Sequence, residues 1–132
     1  MIVLDASALL DLLLRTPRGE TVARRIGGGD ETLHAPHLVD LEVVHALRRY
    51  EMKGLLTRTR AEEALDDFAD LDILRYPHDA LLPRIWALRR NVTAYDAAYL
   101  ALAEALDAPL LTADEKLARS PGHHARVEVV TA

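Results

Sequence analysis

The strongest constraint on this chain is a rhythm of apolar runs too short to be helices. Ile2-Val3-Leu4, Thr32–Ala35, Ile73-Leu74-Arg75-Tyr76 and Pro109-Leu110-Leu111-Thr112 are strand-sized, and long segments with helical signals separate them. Neighbouring antiparallel strands need only a tight turn, whereas parallel strands need a crossover of a dozen or more residues, usually a helix. Runs that are apolar throughout, rather than alternating, belong in sheets covered on both faces. The pattern therefore predicts a three-layer α/β/α fold with a central, mostly parallel sheet of about five strands, Arg126–Val130 supplying the last. At 132 residues the chain suits one domain, 1–132, with one core.

Helix boundaries carry their own signals. Ala6–Leu14 is apolar apart from Asp11, and Leu9, Leu10, Leu12, Leu13 and Leu14 spread over more than one face. Thr16-Pro17 is a helix start and Gly27-Gly28-Gly29 a stop. Pro36 is expected to open a helix running to about Lys53, with Gly54 as a left-handed cap. Thr59 and Glu62 form a capping-box pattern for a helix reaching about Leu71. A further helix is expected from near Asp79 to Arg90, and Thr93 caps one from Ala94 to about Leu106. Glu115–Arg119 is a short helix before the last strand.

In an open parallel sheet, ligands bind beyond the carboxyl ends of the strands. Asp5 ends the first strand and Asp114 follows the fourth. Asp96 begins the helix leading into that fourth strand. Glu42 lies in the helix after the second, at the edge of its apolar stripe, with Asp40 as the alternative acid nearby. Each has a structural reading as well: Asp5, Asp96 and Asp114 as helix caps, Glu42 as a partner of His45 or Arg49. Four carboxylates meeting at one sheet edge would raise one another's pKa unless a cation joined them. Oxygen ligands with no cysteine in the chain suit Mg²⁺ or Mn²⁺ rather than structural zinc. The chemistry natural to such a site is metal-assisted phosphodiester hydrolysis.

The net charge of −5 argues at first against a nucleic-acid partner. Its distribution weakens that objection: acids crowd between Glu62 and Asp72, while arginines gather elsewhere, as at Arg48-Arg49 and Arg89-Arg90. The absence of cysteine excludes thiol nucleophiles and redox switches. No uncharged run approaches the length of a membrane span, and Asp5 and Asp11 break the apolar start, so the expected address is the cytoplasm. His34-x-x-His37 and His123-His124 lack matching further ligands for zinc. Trp86 and Tyr95 could stack on a base, but Trp86, on a helix face, is expected in the core. The triple glycine has no downstream Lys-Ser/Thr and is no phosphate loop.

Taken together, Ile2-Val3-Leu4-Asp5-Ala6-Ser7, Glu42 after Pro36, Tyr95-Asp96-Ala97-Ala98-Tyr99-Leu100-Ala101-Leu102-Ala103 and Leu111-Thr112-Ala113-Asp114 resemble the PIN-domain family, in particular its VapC-type ribonuclease toxins from bacterial toxin–antitoxin pairs. The likeness runs in order along nearly the whole chain. It implies a metal-dependent (Mg²⁺ or Mn²⁺) endoribonuclease whose acidic quartet is Asp5, Glu42, Asp96 and Asp114. Asp5 and Asp96 would be the main metal ligands, with Ser7 and Thr112 as supporting hydroxyls. It also implies an RNA substrate, a cognate VapB-type antitoxin and a homodimer. Two rival readings differ in kind. A catalytically silent RNA- or antitoxin-binding module would keep the fold without cleavage. A receiver-type phosphorylation switch would need an acid ending the third strand, where this chain has Arg75-Tyr76-Pro77.

Overall fold

The computed structural model describes residues 1–132. Five strands form one sheet in the order β3-β2-β1-β4-β5, and every pairing is parallel. They are β1 (Ile2–Leu4), β2 (Leu33–Pro36), β3 (Ile73–Tyr76), β4 (Leu110–Thr112) and β5 (Val127–Val129). β1 is the middle strand, and all three of its side chains are fully buried, as its unbroken apolar run requires. The chain winds outward from β1 to β3, then returns to lay β4 along the other side of β1. The carboxyl ends of β1 and β4 thus meet where the winding reverses, the place where open α/β sheets form their clefts.

Helices cover both faces. α1 (Ala6–Leu14) packs against α2 (Pro17–Ile26), α3 (Leu38–Met52) and α4 (Arg58–Asp70) on one side. On the other, α5 (Leu82–Ala87) packs against α6 (Ala94–Leu106), and α7 (Glu115–Arg119) lies against β5. Ala97 through Ala103 are buried without interruption, so α6 is a core helix whose alanines let it sit close to the sheet. α3 ends in a Schellman turn: Gly54, at φ 74°, lets its own N–H reach Glu51 O and that of Leu55 reach Tyr50 O. The expected left-handed cap and the glycine stop after α2 are both present.

Three boundaries differ from the sequence pattern. Pro36 closes β2 rather than opening α3, which begins at Leu38. By Pro36 the chain has passed the last paired residue of β1, so its missing N–H costs little there. The expected helix from Asp79 to Arg90 is a 3₁₀ turn at Asp79–Leu81 followed by the short α5. Pro83 has no N–H with which to reach the Asp79 carbonyl; Leu82 N–H takes that oxygen instead, tightening the turn.

Finally, the cap of α4 is Thr57 and not Thr59: the Thr57 hydroxyl accepts from Arg60 N at 3.1 Å. Starting the helix there puts Leu56 and Ala61 at staple positions and turns Ala61, Ala64 and Phe68 inward. Glu62 pairs with Arg58 instead of closing a box. Thr57→Ala should therefore cost about 1 kcal/mol in urea unfolding, and Thr59→Ala much less. Equal losses would contradict the assignment.

Candidate active site

Asp5 is buried at the end of β1, where a free carboxylate would be costly without donors. It has three. Its Oδ1 accepts from Ala8 N at 3.0 Å, capping α1, and from Ser7 Oγ at 2.7 Å. Its Oδ2 accepts from the Thr112 hydroxyl, which arrives from β4. Ser7 Oγ in turn accepts from Ala113 N at 2.9 Å, and Thr112 Oγ1 from Asp114 N at 3.0 Å. The first and fourth strands are therefore stitched together at their carboxyl ends around one acid. Both hydroxyls named from the sequence hold Asp5 in place, and Asp5 serves as a helix cap at the same time.

Asp96 lies in the first turn of α6, where the Thr93 hydroxyl accepts from its backbone N–H at 3.2 Å. The Asp96 carboxylate does not return a bond to Thr93 N, so only half of a capping box forms and the acid remains available to the cleft. Asp114 is exposed and caps α7 through Lys116 N at 2.9 Å. Glu42, half-buried on α3, pairs with neither His45 nor Arg49. It accepts a 2.6 Å bond from the Tyr99 hydroxyl, one turn along α6 from Asp96. Asp40 is turned to Arg75 at 2.7 Å, which leaves Glu42 as the acid of this segment that faces the site.

Burial pushes the Asp5 carboxyl up to about 6 despite its hydrogen bonds, and the nearby Asp96 charge adds to the shift. Burial also raises Glu42, opposed by Tyr99 and reinforced by Asp96. Asp96 is raised by burial and then by Asp114. Asp96 is the hub through which the four acids feel one another. No three acid or histidine side chains close tightly enough to encircle an ion as they stand.

Two openings reach this edge of the sheet. A groove of about 1080 Å³ between α1 and α3 is lined by Ser7 and Glu42 beside Leu10, Leu14, Leu38 and Val44. A smaller cavity of about 510 Å³ reaches Asp96 and Asp114. Asp5, buried, lines neither of them.

A model of the PIN domain matches residues 2–122. The chain belongs to the PIN-domain family. Among relatives of this PIN domain, Ribonuclease VapC12 of Mycobacterium tuberculosis is 44% identical over 130 residues, covering 98% of this chain and 99% of the relative. Ribonuclease VapC1 of the same species is 43% identical, covering 97% and 96%. The VapBC2 structure from Rickettsia felis, bound to a promoter DNA fragment, superposes with a TM-score of 0.74 at 16% identity, covering 99% of this chain and 100% of that one. At that identity the superposition speaks for the fold.

Sequence reasoning missed Tyr99. Its spacing of three from Asp96 puts the two on one helix face, which was the available signal. The expectation for Trp86 was wrong: it is 67% exposed, because α5 is a short helix that buries none of its residues. His34 is a core residue whose two ring nitrogens are taken by Thr32 and Tyr76, both at 2.7 Å.

Proposed function

We propose that this PIN domain, acting as one unit over residues 1–132, is a metal-dependent endoribonuclease toxin that hydrolyses RNA phosphodiester bonds at Asp5, Glu42, Asp96 and Asp114. The observation that carries the reading is the buried Asp5 at the sheet's switch point, clamped by Ser7 and Thr112 and electrostatically coupled to Asp96. The names of the VapC relatives support RNA as the substrate.

The donor set fits a hard divalent cation. It consists only of oxygens, and three of its carboxylates are held above their ordinary pKa by burial and by one another, a conflict that positive charge relieves. Asp5, Glu42, Asp96 and Asp114 would hold Mg²⁺ or Mn²⁺. When bound, such an ion lowers the pKa of water and polarises phosphoryl oxygens. The chain's own contribution is placement. Ser7, Thr112 and Ala8 fix both oxygens of Asp5, and Tyr99 fixes Glu42, which orients the attacking water. Asp114 completes the site at its open rim.

The partners follow from the same reading. A cognate VapB-type antitoxin would cover the apolar groove between α1 and α3, and two copies would work as a homodimer in the cytoplasm. No helix is long and apolar enough to cross a membrane.

The deciding experiment incubates the purified protein with total cellular RNA in Mg²⁺, Mn²⁺ or EDTA, beside Asp96→Asn. Discrete fragments are expected with metal only and with the native protein only. RNA bound but never cut by native protein would move the assignment to a silent binding module. Removing the hydroxyl that orients Glu42 tests the architecture further. Tyr99→Phe keeps the buried ring and should weaken Mn²⁺ binding by roughly 10- to 100-fold in calorimetry, the usual cost of losing a group that orients a ligand. Unchanged Mn²⁺ affinity would remove Tyr99 from the site.

A further inference from the structure

Most arginines of this chain are tied to carboxylates, among them Arg25 to Glu128, Arg75 to Asp40 and Arg84 to Glu104. Arg89, Arg90 and Lys116 are not, although all three line the same cavity as Asp96 and Asp114. Arg90 lies in the turn before the Thr93 cap, and Lys116 sits in the first turn after the Asp114 cap, so both cations are carried by segments that adjoin those carrying the acids. Arg89 has no acidic partner. Its guanidinium lies 4.3 Å from the centre of the Trp86 ring, and its Nη1 donates to Trp86 O at 3.0 Å. Trp86 is otherwise uncovered, at 67% exposure. A chain of net charge −5 thus keeps three unpaired cations lining the cavity of Asp96 and Asp114, with the exposed Trp86 indole against one of them, Arg89.

We propose that this face is the substrate track of the nuclease: single-stranded RNA leaves the acidic site over Arg90 and Lys116, which hold backbone phosphates, and an unstacked base lies on Trp86 beside Arg89. The proposal rests on the ribonuclease reading above and extends it to how the substrate is held. Unpaired cations are what phosphates require, since a cation already held by a carboxylate must first be released from it. An exposed indole with a neighbouring guanidinium is a stacking platform for any base, and only an unpaired strand presents base faces to it. Placing the grip next to the acids, rather than among them, lets the strand be held without neutralising the carboxylates that do the chemistry.

Trp86 is the only tryptophan, so its fluorescence reports on this face alone. The test titrates native protein in EDTA, where no cleavage occurs, with a short labelled single-stranded RNA, reading label anisotropy and Trp86 emission together. Binding should quench Trp86. Trp86→Ala should weaken the affinity by roughly 5- to 150-fold, the range for one stacked base. Arg90→Ala/Lys116→Ala should weaken it and lower the slope of log affinity against log salt by about 1.4, or 0.7 for each phosphate released. The control Arg24→Ala/Lys53→Ala removes the same charge from elsewhere and should leave that slope nearly unchanged.

Equal effects of the two double variants, or saturable binding without any change at Trp86, would overturn the track. A Trp86 signal that depends on protein concentration and saturates without RNA would put a second copy on this face, and overturn it too. The two readings separate in a cleavage assay with Mn²⁺. If native protein cuts RNA and Arg90→Ala/Lys116→Ala keeps its kcat/KM, the track alone falls; if native protein neither binds nor cuts, both fall.

Discussion

Replacing Asp5 by Asn is expected to abolish RNA cleavage while making the metal-free protein harder to unfold. The loss of activity follows from removing the carboxylate on which the site is built, and should reach roughly 10³-fold or the level of native protein in EDTA. The gain in stability follows from burial. Asp5 is moved from 3.8 to about 6, first by desolvation, so the folded chain holds this proton more tightly than the unfolded one. Stability from this group is present below about pH 4 and is lost as pH rises through about 6. At pH 7 the shift corresponds to about 3 kcal/mol at most, at 1.36 kcal/mol per pKa unit, and imperfect replacement of the Thr112 bond reduces the expected gain to about 2.

Asn keeps an acceptor for Ala8 N and Ser7 and offers an amide toward Thr112, so the network survives in outline. Urea unfolding of both proteins in EDTA across pH 3.5 to 8 checks the sign. The difference between them should be near zero at the acid end and grow until about pH 7. In Mn²⁺ the order should reverse, because a ligand at 100 times its Kd stabilises only the protein that binds it, by about 2.7 kcal/mol. A mutant less stable than native at pH 7 in EDTA would show that the Asp5 charge is welcome where it lies.

The second large effect is expected at Gly19, in α2. Glycine inside a helix ordinarily costs about 1 kcal/mol relative to alanine, so Gly19→Ala would be stabilising by that rule. Here a Cβ would sit 1.9 Å from the Asp11 carbonyl oxygen and 2.6 Å from its carbon. Both are backbone atoms of α1 and cannot swing aside. The clash must be relieved by driving α1 and α2 apart, and overpacking of that kind costs about 1–3 kcal/mol or more, which outweighs the helical gain. A net loss of about 2 kcal/mol or more is expected in thermal or urea unfolding. Gly28→Ala, where a Cβ meets nothing within 4 Å, should stay near neutral. The consequence reaches the site, since α1 is the helix that Asp5 caps. Gly19→Ala should also lower cleavage, whereas Gly28→Ala should not.

Much of this was readable from residue order because the signals were local. Ile2-Val3-Leu4 and Leu110-Leu111 had to be strands buried on both faces, a parallel sheet follows from that, and Asp5 and Asp114 lie just past the ends of these two strands. Thr93, Thr16-Pro17 and Gly54 announced their caps through the chemistry of single residues. What stayed hidden depended on tertiary partners. The local pattern favours Thr59, with Glu62 three residues on, and it is the inward turn of Ala61, Ala64 and Phe68 that goes with Thr57 as the cap. Pro36 could end a strand or begin a helix until β1's length was known. Glu42 and Asp40 were separated by partners distant in sequence, Tyr99 and Arg75. Trp86 lies on a six-residue helix that turns Ile85 toward the core and leaves Trp86 exposed, which its local spacing did not reveal.

The stitching of β1 to β4 has a consequence for how the protein comes into being. Asp5 leaves the ribosome 107 residues before the Thr112 hydroxyl that holds it, and Asp114 emerges later still. The middle strand of the sheet is made first and must wait for one of its neighbours. Every partial chain that stops short of β4 has its first acid without its clamp. The four acids named for the site can therefore come together only once β4 has been made and has docked beside β1.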